Sequence, residues 1–362
     1  MSAPPISTVM VTRDVESFLD RAIVSIVEQT FNEFEFVIVD FGSTDRSKSI
    51  AHHYAVRDQR IKYREIHCSN LAEARNASCQ FATGKYIALM DADDIAQPNR
   101  LEKQFEFLEA HPDVGVLGSS TEWIDATERT LGVHTPPLSD AEIRARLKAG
   151  SPFWQPSVML RKETFSLVNG YRTIFAQAED YDLWLRMAEH SRCANLREPL
   201  LKYRIHSHQL SVRRRSEQTT CVLAAQASAA ARAARKSDPL NNVERISAET
   251  LREIGVSEAI QESRIVDDCR QWIRNLHQAG ESTRALEEAH ELLEQQWKHV
   301  ERWQIADLHL ITAKIYWAQR EIKRSLHAAA CACWVRPKVI GRPLKQLMRR
   351  LGRMLPRLSN LA

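Results

Sequence analysis

The sequence predicts an α/β fold with a largely parallel sheet, followed by an all-α region, on three observations. Up to Arg204, short β-rich runs alternate with helical patterns, as they do in chains built from strand–helix–strand units. Three acidic turns follow Val11, Val39 and Met90, each at the end of an apolar run. Beyond Arg204 only helical periodicity remains.

The elements follow in order. Ser7–Thr12 reads as the first strand, and Val15–Gln29 as a helix with Phe18, Leu19, Ala22, Ile23, Ile26 and Val27 on one face. Phe34–Val39 is the second strand, leading into a turn (Asp40 to Asp45) whose Ser and Asp suit a helix start. Ile61–Ile66 reads as a third strand, Leu71–Ala82 as a helix, and Tyr86–Met90 as a buried strand running into Asp91. Ligands of open α/β sheets sit outside the carboxyl ends of the strands, where these acidic turns fall. Cys221–Ala234 is an alanine-rich helix, and later turn signals stand at Asp238-Pro239, Gly255 and Gly280. Leu276–Leu286 and Tyr316–Leu326 resemble each other. Degenerate helical-hairpin repeats and a plain helical bundle both account for that similarity. The expected organisation is an α/β domain over 1–213, a helical domain over 214–333 and a tail over 334–362.

Composition sets outer limits. At 362 residues the chain exceeds the usual single domain, and 44% hydrophobic with 27% charged residues is ordinary for a globular protein. A net charge of +4 argues against a dedicated nucleic-acid binder. That charge is concentrated: the tail from Trp334 carries eight Lys and Arg and no Asp or Glu, so everything before it is mildly acidic. Seven scattered cysteines without paired spacing fit a reducing compartment better than a disulfide framework. With no apolar stretch resembling a signal peptide or a membrane span, a cytoplasmic protein is expected.

Two segments carry the chemistry. Asp91-Ala92-Asp93-Asp94 follows a hydrophobic run directly, and carboxylates two apart in extended chain point to one side. Asp91 and Asp93 are therefore placed to converge on a hard divalent ion, Mg2+ or Mn2+, which also binds phosphate oxygens. An acidic turn capping the helix that starts near Pro98 is the competing reading. The second segment, Gln177 to Arg186 (QAEDYDLWLR), places Glu179, Asp180 and Asp182 before an apolar-periodic run. Helix capping and a general base both explain it.

These segments belong to an ordered series: the first strand and FLDRAIVSIVEQTF, VDFGSTD (39–45), LAEARNASCQFATGKYIALMDADD (71–94), PNRL (98–101), PSVMLRKETF from Pro156, NGYR from Asn169, AEDYDLWLR (178–186) and YRIHSHQLS (203–211). Over residues 6–211 the chain resembles the family 2 glycosyltransferases. The resemblance implies a GT-A fold and inverting transfer of a hexose from a nucleotide diphosphate sugar, by family default a UDP-sugar. The implied acceptor is a saccharide or lipid-linked glycan of bacterial surface-polysaccharide assembly. It implies that Asp91 and Asp93 form the motif that holds Mn2+ or Mg2+ against the diphosphate, with Asp93 the direct ligand. Asp180 falls at the family's general base, with Glu179 and Asp182 as neighbours whose charge raises its pKa. Asp40 and Arg75 match positions near the base and phosphates of the donor, and His206 is placed to reach the metal or diphosphate.

The chain departs from the family's pattern at Val11-Thr12-Arg13-Asp14, at Phe41 in place of an acid, and at Gln155 in place of His. A phenyl ring cannot accept a hydrogen bond from a base N–H. Those departures keep open a catalytically weak carbohydrate-binding or scaffold role. A nucleotidyl-transfer enzyme is disfavoured because neither GxxxxGK[ST] nor a glycine-rich phosphate loop occurs. In the tail, Leu344, Leu347, Met348, Leu351, Leu355 and Leu358 follow helical spacing beside Lys345, Arg349, Arg350, Arg353 and Arg357. That pattern suits an anionic membrane surface or docking onto the helical domain.

Overall fold

The computed structural model describes residues 3–206 and 215–336. The chain divides into two compact units, Met1–Val256 and Ser257–Ala362.

In the first unit, strands β1 (Ile6–Thr12), β2 (Phe34–Asp40), β3 (Ile61–Glu65) and β4 (Tyr86–Asp91) are separated by helices α1 (Glu16–Val27), α2 (Ser47–Arg57) and α3 (Leu71–Phe81). Each lies within two residues of its expected limits where the sequence placed one. These strands run parallel, with Val11 of β1 opposite both Val39 and Asp91. There follow β5 (Ile95–Ala96), α4 (Arg100–Ala110), β6 (Val114–Asp125), β7 (Thr130–His134), α5 (Asp140–Leu147), a 3-10 turn (Gln155–Ser157), β8 (Met159–Arg161), α6 (Lys162–Leu167), α7 (Glu179–Met187) and β9 (Arg192–Ile205). Along the main path the sheet order is β3-β2-β1-β4-β8-β6-β9-β5, with β7 paired to β6. The β8 and β5 pairings are antiparallel, so the sheet is mixed.

Alternation along the strands builds two cores. Val9, Val37, Val39, Ile87 and Leu89 face one side, with residues of α3 and α7, while Met10, Phe36, Ile38, Tyr86, Ala88 and Met90 face the other, with α1 and α4. Because Asp91 continues the Ile87–Leu89 series, its side chain emerges on the face covered by α3 and α7.

A buried clasp closes the opposite end of the sheet. Glu35, at the start of β2, accepts hydrogen bonds from Ser7 Oγ (2.5 Å), Thr83 N–H (2.5 Å) and Thr83 Oγ1 (2.7 Å), and pairs with Lys62. Ser7 Oγ in turn accepts from Gly84 N–H at 2.8 Å. A Cβ on Gly84 would lie 2.7 Å from Ser7 N, so only glycine fits this approach to β1.

The boundary expected near residue 213 is displaced. Helices α8 (Arg215–Ala233) and α9 (Ala248–Glu253) belong to the first unit. Cys221, Leu223, Ala224 and Ala225 share a core with Leu183 and Trp184, and Asp238 accepts from Arg172, Ser228 and Arg232. The change of composition marks the end of the sheet, not the end of the compact unit.

The second unit holds α10 (Glu258–Gln278), α11 (Ser282–Glu294), α12 (Arg302–Ala318) and α13 (Ile322–Val335). The likeness of the two helical segments extends to their backbone. After α10, Gly280 at φ +89° is followed by a Glu281 N–H bond back to the Leu276 carbonyl. After α12, Arg320 at φ +63° is followed by a Glu321 N–H bond to the Tyr316 carbonyl. Both are left-handed helix terminations leading into a second helix. Residues 337–362, which hold nearly all of the basic tail, lie outside the described residues, as do 207–214 with Arg213 and Arg214.

Lys62 and the hydrogen bonds from Ser7 and Thr83 outweigh burial and hold Glu35 at a pKa of about 2 against an ordinary 4.5. A lowered folded-state pKa contributes stability above the ordinary value that disappears as pH falls through the folded one. Glu35→Gln is expected to cost about 3 kcal/mol near neutrality. In denaturant unfolding, the gap from wild type should narrow as the pH falls from 4.5 toward 2.

Candidate functional site

A cleft of about 430 Å3 opens at the carboxyl ends of β1 and β4, lined by Arg13, Phe41, Arg75, Asp91, Asp93, Trp154, Glu179, Asp180, Tyr203 and His206 among others. The strand order reverses here, since β2 lies on one side of β1 and β4 on the other, and ligand crevices form where it does.

Arg75 joins the two chemistry-bearing segments. It sits on α3, whose first turn is capped by the Asn70 side chain accepting from Glu73 N–H at 3.0 Å. Its guanidinium donates to Asp91 Oδ1 at 3.2 Å and to Glu179 Oε1. Burial works against this positive charge, but Glu179 and Asp91 outweigh it and hold the guanidinium more firmly protonated than usual. The carboxyls are pushed the other way. Burial raises Asp91 to about 6 and Glu179 to about 7 in spite of Arg75, and nearby carboxylates add to both shifts. Asp180 is raised by burial as well, with Arg75 opposing.

Glu179 and Asp180 open α7 through a constrained turn, because Ala178, the residue before the helix, has φ +55°. Asp182 takes no part in the cleft. It is fully buried and ion-paired with Arg172 and Arg186, so it does not supply the like-charge repulsion expected of it.

The acidic turn after β4 has its own arginine. Arg204, on β9 and 1% exposed, donates from its backbone N–H to Asp94 Oδ1 (2.8 Å) and from Nε to the Asp93 carbonyl (2.7 Å). Its guanidinium lies 4.7 Å from the Phe18 ring centroid. Asp94 is buried, and burial together with Asp93 and Asp91 raises its pKa well above the ordinary value. Further along the same stretch, His206 Nε2 lies 3.0 Å from Asp93 Oδ2. Asp91 and Asp93 therefore line one cleft but face different partners, one arginine and one histidine.

Asp40 falls elsewhere. Its carboxylate is buried and accepts from Gly42 and Ser43 N–H at 3.0 and 2.9 Å, shaping its own turn rather than lining the cleft. The neighbour Phe41 does line it, with the Arg13 guanidinium 5.4 Å from its ring. Sequence reasoning missed Arg204, Trp154 and Tyr203. The YRIH motif held a signal for Arg204, whereas Trp154 and Tyr203 meet only through tertiary folding, their rings 5.0 Å apart.

Removing one partner of a buried ion pair leaves an uncompensated charge. Arg75→Met is expected to destabilise by about 3 kcal/mol near neutrality. Without the cation the carboxyl pKa values rise further, and a raised folded-state pKa withdraws stability as pH increases. The deficit should therefore be small near pH 5 and grow through pH 7, which thermal melts across that range will measure.

Comparison with known proteins places this arrangement. Residues 7–167 match the glycosyl transferase family 2. The putative glycosyltransferase EpsE of Bacillus subtilis is 35% identical over 208 residues, 56% of this chain and 74% of that protein. The O-antigen biosynthesis glycosyltransferase WbnJ of Escherichia coli is 31% identical, over 56% of this chain and 80% of that protein. The amylovoran biosynthesis glycosyltransferase AmsE of Erwinia amylovora is 32% identical, over 54% and 74%. The crystal structure of S. aureus TarS 1-349 superposes with a TM-score of 0.50 at 17% identity, covering 90% of each chain. The mixed sheet with flanking helices is the GT-A fold, and the chain is a glycosyltransferase of family 2.

Proposed function

We propose that the protein is an inverting hexosyltransferase that moves a sugar from a nucleotide diphosphate donor to a saccharide or lipid-linked acceptor in bacterial surface-polysaccharide synthesis, acting in the cytoplasm. One observation carries this reading. The cleft brings a partly exposed acidic group beside a histidine, Asp93 with His206, together with a second acidic pair, Glu179 and Asp180. Relatives named for O-antigen and amylovoran biosynthesis support the polysaccharide setting.

The roles follow from the surroundings. Glu179 is committed to Arg75 and buried, whereas Asp180 is partly exposed and lines the cleft. Asp180 is therefore the group placed to take a proton from an acceptor hydroxyl, and its raised pKa suits a base working near neutrality. Attack on the anomeric carbon from the face opposite the departing diphosphate inverts its configuration. Arg75 holds Glu179 and Asp91, and so keeps α7 and β4 in register around the donor.

The donor set fits a hard cation, Mn2+ or Mg2+. Asp93 presents a carboxylate, with Asp91 and His206 in the same cleft. Among the described residues no three His, Cys, Asp or Glu side chains form a complete metal site. That suits an ion bound through one or two carboxylates and the phosphates of its substrate. When bound, it would offset the charge on the departing diphosphate. The UDP-sugar default is weakened at Phe41, which offers a face for stacking but no acceptor for a base N–H.

Thermal shift and diphosphate release across UDP-, GDP- and dTDP-sugars with Mn2+ or Mg2+ test the reading. One donor is expected to stabilise wild type, and Asp93→Ala to lose that stabilisation. Asp180→Asn should keep donor binding while transfer falls roughly 100-fold or more. If no nucleotide sugar shifts the melting temperature with either metal, the transferase reading of this cleft fails.

The basic tail of residues 334–362 is read as an attachment to anionic membrane. Changing Arg349, Arg350, Arg353 and Arg357 together to Gln in the full chain should lower co-sedimentation with phosphatidylglycerol vesicles, at about 1 kcal/mol per charge.

A further inference from the structure

One wall of the cleft, across β4 from Phe41, is aromatic and uncharged. Segment 151–156 and β9 contribute Ser151, Phe153, Trp154, Gln155, Pro156 and Tyr203 to the lining. In the sheet order β4, with Asp91, stands between this wall and the ends of β1 and β2, where Arg13 and Phe41 lie. Trp154 and Tyr203 are half-buried, their rings 5.0 Å apart. Behind them Trp123 is buried. It stands opposite Tyr203 in the pairing of β6 with β9, meets the Trp154 ring at right angles with centroids 5.1 Å apart, and stacks on His134 at 3.6 Å.

The chain ties this wall to the strand that carries the acidic turn. The Trp154 carbonyl accepts from Ser157 N–H at 2.8 Å and from Ser157 Oγ at 2.7 Å, Gln104 donates to the Ser157 carbonyl at 2.8 Å, and Leu89 N–H of β4 donates to the Val158 carbonyl at 2.8 Å. The rings are therefore fixed relative to Asp91 before a ligand arrives, which lowers the ordering cost of binding. Gln155, 7% exposed, lines the cleft, and its Oε1 has no hydrogen-bond partner among the described residues. A buried amide oxygen left unpaired is costly, and a ligand donor relieves that cost.

We propose that Trp154 and Tyr203 seat the pyranose ring of an uncharged acceptor sugar, with the Gln155 amide bonding its hydroxyls. This rests on the transferase reading of the cleft and adds which residues select the acceptor. The chemistry of the wall picks the ligand. An aromatic face is electron-rich, so it attracts the C–H-lined face of a pyranose, whose hydroxyls project from the ring's rim. A hydroxyl both donates and accepts, as an amide does, so the two match in either orientation. An ionised phosphate has no proton to give Oε1 and meets no cation among the described residues of this wall. An acyl chain offers neither donor nor acceptor. Asp180 lines the same cleft, where a hydroxyl of the seated sugar is to lose its proton.

The experiment uses the full-length chain with methyl glycosides of glucose, galactose, mannose and N-acetylglucosamine, and methyl glucuronide as the charged comparison, read by saturation-transfer NMR. Wild type is expected to bind a neutral glycoside, and to bind it more tightly than the glucuronide. Trp154→Leu should weaken that binding roughly tenfold, and Trp154→Phe, which keeps a ring, much less. Gln155→Leu should weaken it about fivefold. Its melting temperature should stay near that of wild type, because the Oε1 it removes has no internal partner. Saturation with the nucleotide sugar that stabilises wild type, together with Mg2+, should leave the glycoside signal in place. Failure of every neutral glycoside to bind, or equal binding by wild type, Trp154→Leu and Gln155→Leu, would overturn the proposal. So would displacement of the glycoside by the nucleotide sugar, because the wall would then hold the donor's own hexose. The two failures are separable. A chain that binds glycosides through Trp154 but no nucleotide sugar keeps its sugar-binding wall and loses the transferase reading, whereas one that binds a nucleotide sugar but no glycoside loses the wall alone.

Discussion

A single guanidinium, that of Arg75, makes the cleft possible. Several carboxylates brought together under partial burial repel one another and lose hydration, and each would neutralise itself by taking a proton. With one hydrogen bond to the end of β4 and another to the start of α7, Arg75 lets the chain keep these acids close. The arrangement is strained electrostatically even so, since Asp91 and Glu179 remain above ordinary carboxylate values.

Arg204 solves a neighbouring problem by other means. It grips the acidic turn through a backbone N–H on Asp94 and a side-chain bond to the Asp93 carbonyl, leaving the Asp93 carboxylate to the cleft and His206. β9 thus acts as a brace for the turn after β4, although the two segments are far apart in sequence. The clasp around Glu35 does similar work at the far end of the strands.

Much of this was legible in the sequence because it is local. The unbroken apolar run Tyr86–Met90 marks a buried strand that ends at Asp91, and the acidic start of AEDYDLWLR marks a helix opening. Those signals need only a few consecutive residues. What stayed hidden depends on distant partners. The i,i+4 spacing of Asp182 and Arg186 announces one partner of that carboxylate, but Arg172 lies in another segment, and only the folded chain shows that the Asp40 carboxylate turns to Gly42 and Ser43 instead of the cleft. The boundary near residue 213 was misplaced for the same reason. The loss of strand pattern is a local event, while the packing of Cys221 and Ala224 beside Trp184 is not.

The paired terminations at Gly280 and Arg320 bear on how the helical unit changes over evolutionary time. A left-handed residue other than glycine costs about 1 kcal/mol, which a packed hairpin tolerates. The backbone turn can therefore persist where glycine does not, as the bond from Glu281 to Leu276 recurs in that from Glu321 to Tyr316. A descendant of this chain could gain or lose one whole hairpin and keep the same junctions, lengthening or shortening the helical unit in steps rather than by degrees.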